Sequence, residues 1–145
     1  MEPADMLRVA ILELWGRGRA ELVEQLYAPD VVDHNPVPGQ RPGHDGLRDV
    51  LAAFHTAFPD LTMDLHGTTG DAVSAADWWT FRGTHTGPLF GLAPTGRRVA
   101  FGGMDAVRVR DGLITELWHV EDNAALLDQL GVTSLQMMDD RHTNT

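Results

Sequence analysis

Three side chains late in the sequence have types and spacing suited to proton transfer: Asp105, His119 and Asp122. Residues 97–110 alternate as a strand, and the odd positions Val99, Phe101, Gly103, Asp105, Val107 and Val109 share one face. Arg108 and Arg110 belong in water or at a subunit contact, so the odd face points inward and Asp105 is the acid on an otherwise apolar row. Asp111-Gly112 is a two-residue hairpin signal. A regular hairpin around it sets Arg110 opposite Leu113 and Asp105 opposite Trp118, which turns Ile114, Glu116, Trp118, Val120 and Asp122 inward. Asp122 then lies about 13 Å beyond Trp118 on a flat strand, and the two carboxylates bracket a space suited to a fused-ring ligand. A carboxylate among Phe101 and Trp118 is desolvated, which raises its pKa and strengthens it as a base toward a carbon-bound proton. Structural roles are the alternative: Asp105 tied to an arginine or to backbone amides, and Asp122 capping the helix that Asn-Ala-Ala-Leu-Leu begins. The same register sends Leu117, His119 and Glu121 to the other face, and a single bulge reverses that assignment.

A second group could form the walls of such a site. His34 and Asn35 follow a β-branched pair and precede a Pro-rich loop, where they either reach a ligand at the rim or cap the loop. Trp78 and Trp79 point to opposite faces of a strand; Trp79 shares its face with Phe81. With Phe101 and Trp118 these rings either fill the core or hold a flat ligand. His44, His55 and His66 fall on surface or helix-face positions, and His85 sits near a strand end as a structural or rim residue. No paired histidines with an acid at metal-ligand spacing occur, and no Gly-rich phosphate loop precedes a helix, so neither a metal nor a nucleotide cofactor is expected.

The elements that must position these groups follow from periodicity. Apolar residues at helical spacing predict a helix over 2–18, a short one over 19–27, and a third over 44–58 closed by Pro59. A brief strand at 31–34 leads into a loop at 35–43; strands follow at 61–69, 72–87, 97–110 and 113–122, then a helix at 123–130 ended by Gly131. Helices grouped first and antiparallel strands last predict an α+β fold, a curved sheet wrapped around the N-terminal helices as a cone-shaped barrel with a central pocket. One domain over 1–132 and a C-terminal tail over 133–145 are expected.

Composition narrows the partners. At 145 residues there is room for one core, and 21 acidic against 11 basic residues give a net charge of −10, which repels a phosphate backbone. No apolar run approaches the ~18 residues of a spanning helix, so no membrane partner is expected. The absence of cysteine removes disulfides, thiolate metal sites and a thiol nucleophile. Met-Glu-Pro-Ala-Asp at the start lacks the features of a secretory leader, and a cytoplasmic protein is the expectation.

The segments Val32-Asp33-His34-Asn35-Pro36, Ala57-Phe58-Pro59-Asp60-Leu61, Arg82-Gly83-Thr84-His85-Thr86-Gly87, Pro94-Thr95-Gly96-Arg97, Arg108-Val109-Arg110-Asp111-Gly112-Leu113-Ile114, Trp118-His119-Val120-Glu121-Asp122 and Gln129-Leu130-Gly131 together resemble the SnoaL-like polyketide cyclase family, of the nuclear-transport-factor-like superfamily. The resemblance runs from about Leu7 to Gly131. It implies a cofactor-independent aldol cyclase for an aromatic polyketide, with a sister group of cofactor-free hydroxylases and non-enzymatic binders on the same fold. In the family's cyclases an aspartate ahead of the final Gln-Leu-Gly is the acid/base, which falls here on Asp122. A histidine of the preceding strand assists in one member, and Asp105 stands in its place. His119, His34 and Asn35 are the accompanying polar candidates. The resemblance also implies a homodimer through the outer sheet face, with Leu117, Met104 and Ala106 as the patch.

Overall fold

Strict alternation of burial along the longest strands sets the architecture. On β3 (Ser74–Thr84), Ala75, Asp77, Trp79 and Phe81 are buried, while Trp78 and Arg82 are exposed. β4 (Arg98–Arg110) does the same with Val99, Phe101 and Val107 against Arg108 and Arg110, as its pattern predicts. With β1 (Tyr27–Asp33), β2 (Thr62–Gly70) and β5 (Leu113–Glu121) they form one open, curved sheet in the order β1-β5-β4-β3-β2. β1 runs parallel to β5, and the other neighbours are antiparallel. The computed structural model describes residues 1–135; most of the expected tail, from residue 136 on, lies outside the described residues.

The helices cover the inner face. α1 (Pro3–Val9) starts with a proline in its first turn, where no amide partner is needed, and continues as a π-helical turn over Ala10–Trp15. α2 (Leu22–Leu26) is short, and α3 (Gly43–Ala57) buries Leu47, Leu51 and Ala57 along one stripe. The second helix ends five residues before the expected strand start, because Tyr27 already pairs with Ile114. Pro29 does not prevent this: β1 is an edge strand, where a missing amide is tolerated.

The hairpin at Asp111-Gly112 corrects one expectation. Both residues have positive φ, 52° and 79°, and Arg110 faces Leu113 as predicted. Two residues later Thr115 is extra on β5: Val109 pairs with Ile114, but Arg108 pairs with Glu116. From there the face of every β5 side chain is inverted. Asp105 lies opposite His119 rather than Trp118. Trp118 and Val120, expected inside, are 36% and 61% exposed on the outer face, and Leu117, expected outside, is buried.

Four cross-strand rows now stack along the inner face: Ala75, Val107 and Leu117; Asp77, Asp105 and His119; Trp79, Gly103 and Glu121; Phe81 and Phe101. The first row joins a core with Met6, Leu14, Val23, Leu26 and Leu51, and the last joins a second core with Ile11, Phe58, Leu126 and Leu130. The polar row is sandwiched between them.

α4 (Asn123–Leu130) closes the far end. β5 stops at Glu121, opposite Gly103, so Ala100 of β4 has no strand partner on that side. Gln129 supplies one: Ala100 N–H donates to its Oε1 (2.6 Å), and its Nε2 donates to the Ala100 carbonyl (2.8 Å). Gly131 ends the helix in the left-handed region at φ 77°. Gln129→Ala leaves both main-chain groups of Ala100 without a protein partner and is expected to cost about 1–2 kcal/mol, read as a lower urea midpoint at unchanged slope.

Candidate active site

His119 is the centre of the polar row. Its imidazole Nε2 bonds Asp33 (3.0 Å to Oδ1, 3.2 Å to Oδ2), and Nδ1 lies 2.6 Å from Glu121 Oε1. Burial opposes a charge here, but the hydrogen bonds to Asp33 and Glu121 outweigh it and push the imidazole up to about 10. At neutral pH both ring nitrogens therefore donate. Burial works against ionised Asp33 too, and the His119 bond and charge, the Asn35 amide and Gln40 together hold that carboxyl below its ordinary range.

The 35–43 loop is folded to hold Asp33. Asn35 N–H donates to Asp33 Oδ1 (2.9 Å) and Gln40 Nε2 to Oδ2 (3.0 Å), while Gln40 Oε1 accepts from Val37 N–H (3.1 Å). The Asn35 side chain extends β1 beyond its end by accepting the His119 amide (2.9 Å). Asn35 thus supports the site through main-chain hydrogen bonds. His34 does not line it. Its ring stacks on Trp118 at 4.5 Å on the outer face, with Nε2 3.1 Å from Glu116 Oε1, because the inverted β5 register carries Trp118 and Glu116 there.

Asp105 faces inward as its parity predicts, and its partner is neither an arginine nor a main-chain amide. Trp79 Nε1–H donates to Asp105 Oδ2 at 2.7 Å. The indole crosses Gly103 to get there: a Cβ at Gly103 would lie 2.2 Å from the Trp79 ring. Burial raises the Asp105 carboxyl, while the neighbouring Asp77 side chain, the Trp79 bond and the charge of His119 pull the other way. Behind it Phe81 and Phe101 stack at 4.7 Å, and Trp79 meets Phe101 edge-on at 6.2 Å, so the predicted aromatic wall is present without Trp118.

Asp122 is elsewhere. It lies past the end of β5, exposed, and its side chain accepts the Ala125 amide at 3.0 Å as the N-cap of α4. The inverted register explains the difference, because Glu121 takes the inward position at the strand end. The other histidines serve the framework: His44 bonds the Tyr27 carbonyl, His55 the Trp15 carbonyl, His66 the Thr80 hydroxyl, and buried His85 accepts the Thr95 amide.

Four residues of the cluster were not anticipated: Tyr27, Asp33, Asp77 and Glu121. Asp33 shares parity with buried Val31, and Asp77 with Trp79 and Phe81, so both were available from alternation. Tyr27 is buried, and burial together with the nearby charges of Asp105, Asp77 and Asp33 pushes its phenol up. Among the described residues no group of three or more acids and histidines is arranged to hold a metal ion. A cleft of about 610 Å³ lined by Asp60, Arg82, Thr84, Arg98 and Gln129 lies elsewhere and contains none of these groups. Water reaches the cluster at Glu121, His119 and Asp33, whose side chains are 28%, 17% and 11% exposed.

Comparison with known proteins gives a consistent picture. The family model described as SnoaL-like polyketide cyclase matches residues 5–130. Among solved structures, IdmH of Streptomyces antibioticus, a candidate polyketide cyclase, is 32% identical with a TM-score of 0.76, over 91% of this chain and 100% of its own. A candidate polyketide cyclase of Bacillus cereus is 27% identical (TM-score 0.76, 90% and 83% covered). AclR of Streptomyces galilaeus, a candidate hydroxylase, is 25% identical (TM-score 0.75, 90% and 83%). No curated protein matches the chain.

The raised His119 gives a pH signature. Its native proton affinity exceeds that of the unfolded chain, so its contribution to stability is complete below the ordinary imidazole pKa of ~6.5 and is lost as pH climbs through about 10. Chemical unfolding between pH 7 and 9.5 is expected to show stability falling with pH, with a shallower fall in His119→Gln; equal slopes would contradict the paired imidazolium.

Proposed function

The chain belongs to the SnoaL-like polyketide cyclase family, and on that footing we propose that it closes a ring of an aromatic polyketide by intramolecular aldol addition, using acid/base residues of its own. The observation that carries this reading is Asp105: a carboxyl raised by burial, aimed by the Trp79 indole, and set beside the imidazolium of His119 in front of an aromatic wall. A carboxylate so placed takes a proton from a carbon between two carbonyls. The enolate carbon attacks a second carbonyl, a carbon–carbon bond forms, and the new alkoxide recovers the proton from Asp105. His119, fully engaged with Asp33 and Glu121, does not act as the base; its fixed positive charge favours the developing oxyanion.

A second reading has the same first step. The hydroxylase named among the structural relatives suggests a substrate carbanion that adds dioxygen instead of a carbonyl, giving a hydroperoxide that an external two-electron reductant converts to the alcohol and water. Turnover of a panel of anthraquinone and anthracyclinone precursors, with and without air, separates the two. An isomeric product in both atmospheres supports the cyclase; a gain of one oxygen atom confined to air supports the hydroxylase; binding without product leaves a ligand carrier. Asp105→Asn is expected to lower the rate about 10²–10⁴-fold, whereas Asp122→Asn keeps most of the activity and loses only part of a helix cap.

We also propose that two copies associate through the outer sheet face. Trp78, Met104 and Val120 are successive ladder partners across three strands and are 46%, 53% and 61% exposed, a contiguous apolar band that Trp118 extends. Of the expected patch, Met104 belongs to this band, while Leu117 is buried in the core. Sedimentation is expected to show a dimer for the native chain and a monomer for Met104→Glu.

A further inference from the structure

Asp77 has no part in the mechanism above, yet it is fully buried. It sits directly opposite Asp105 on the β3–β4 ladder, with its side chain on the same face. One oxygen, Oδ1, accepts the Asp105 amide at 2.9 Å, and the other, Oδ2, has no hydrogen-bond partner. An ionised carboxylate with a bare oxygen at this depth, facing another carboxyl, would carry the full cost of desolvation together with like-charge repulsion.

The surroundings offer no relief. Asp105 faces it from β4, the Tyr27 phenol lies near it from β1, Thr68 is its ladder partner on β2, and Arg8 of α1 on that side bonds the Thr68 hydroxyl (3.5 Å), not Asp77. His119 and Glu121 complete the set from β5. The cation of this row, His119, is already shared between Asp33 and Glu121. A proton on Oδ2 removes the charge and gives that oxygen a donor, for which the Asp105 carboxylate, opposite on the ladder and on the same face, is the acceptor.

We propose that Asp77 is a positioning residue that keeps its proton and points it at Asp105 in a hydrogen bond, so that the two carboxyls hold one proton between them and Asp105 is the ionised member. This rests on Asp105 as the base of the proposed reaction. The consequence is chemical: a neutral acid behind Asp105 stabilises its anion and so counters the burial that raises this carboxyl. Asp77 releases no proton in the cycle; the substrate proton goes to Asp105 and returns from it.

Both directions of perturbation agree with this arrangement. Burial and then the charge of Asp105 push Asp77 up to about 9, while the Asp77 side chain lowers Asp105 against its own desolvation. Two carboxyls with a single proton divide into one high and one lower titration.

The first test needs no substrate. Carbon-13 NMR of aspartate carboxyls in the full chain is expected to show one signal that stays protonated through neutral pH, titrates near pH 9 and is missing from Asp77→Asn. A wild-type spectrum in which every aspartate titrates in the ordinary range near pH 4 overturns the proposal, whether or not the chain is a cyclase. The second test uses activity on the precursor panel. Asp77→Asn keeps an N–H donor toward Asp105 and is expected to leave the acid limb of the pH–rate profile in place. Asp77→Leu removes the donor and is expected to move that limb up by about one pH unit, a tenfold loss at a fixed pH on the limb. A limb unmoved in a folded Asp77→Leu variant assigns Asp77 to structure alone and overturns the proposal.

Discussion

A charged imidazole held between two carboxylates inside a sheet is the constraint on which the rest of the site depends. Asp33 and Glu121 come from different strands, and each would be costly to leave ionised beside Asp105 without a cation among them. His119 provides that cation, and the loop after β1 is built around the same need, since Asn35 and Gln40 spend their hydrogen bonds on Asp33 and on the His119 amide. The extra residue Thr115 is what brings His119 into this position. Without it the ring would lie on the outer face, and Trp118 would occupy the row with Asp77 and Asp105.

Trp79 links that polar row to the aromatic one. Its indole needs the missing side chain of Gly103 to lie flat against β4, and only from there does its N–H reach Asp105. Packing and chemistry are coupled at this point: the ring that closes the second core also selects which oxygen of Asp105 is occupied. The carboxyl is therefore oriented by a rigid, buried donor rather than by a flexible charged side chain, which keeps its basicity from being lost to a salt bridge.

Much of the fold was legible because the long strands obey a period of two and the helices a period of 3.6. The parity of β4 placed Asp105 and Phe101 inward, that of β3 put Trp79 and Phe81 together on one face, and the Asp111-Gly112 turn fixed the pairing of Arg110 with Leu113. What was not legible is the bulge, since nothing about Leu113-Ile114-Thr115-Glu116 distinguishes an extra residue from a regular strand. Every misplaced side chain of β5 traces to it: Trp118 outside, His119 inside, Leu117 in the core, Glu121 in place of Asp122. His34 follows by association, because its stacking partner moved to the outer face. Asp33 and Asp77 are a different case. Both share a parity with buried apolar neighbours, but a single aspartate on an alternating strand has no spacing signal that separates a buried acid from an exposed one.

The end of the chain shows why a motif and a mechanism need not coincide. Asp122 and Gln129-Leu130-Gly131 carry part of the family resemblance, and in this molecule they form one device: Asp122 starts α4, Gln129 binds the free edge of β4 at Ala100, Leu130 enters the core and Gly131 stops the helix. Each needs its residue type for a geometric reason, so the pattern can persist whatever reaction the site performs. The groups that differ in chemistry sit one row away and are selected by register. Asp105 faces His119 because of a single inserted residue, and Asp77 lies behind Asp105 because β3 and β4 pair without interruption from Ser74 to Thr84. On this scaffold helix caps and edge pairing maintain the fold, while the cross-strand row decides what acid and what base the substrate meets.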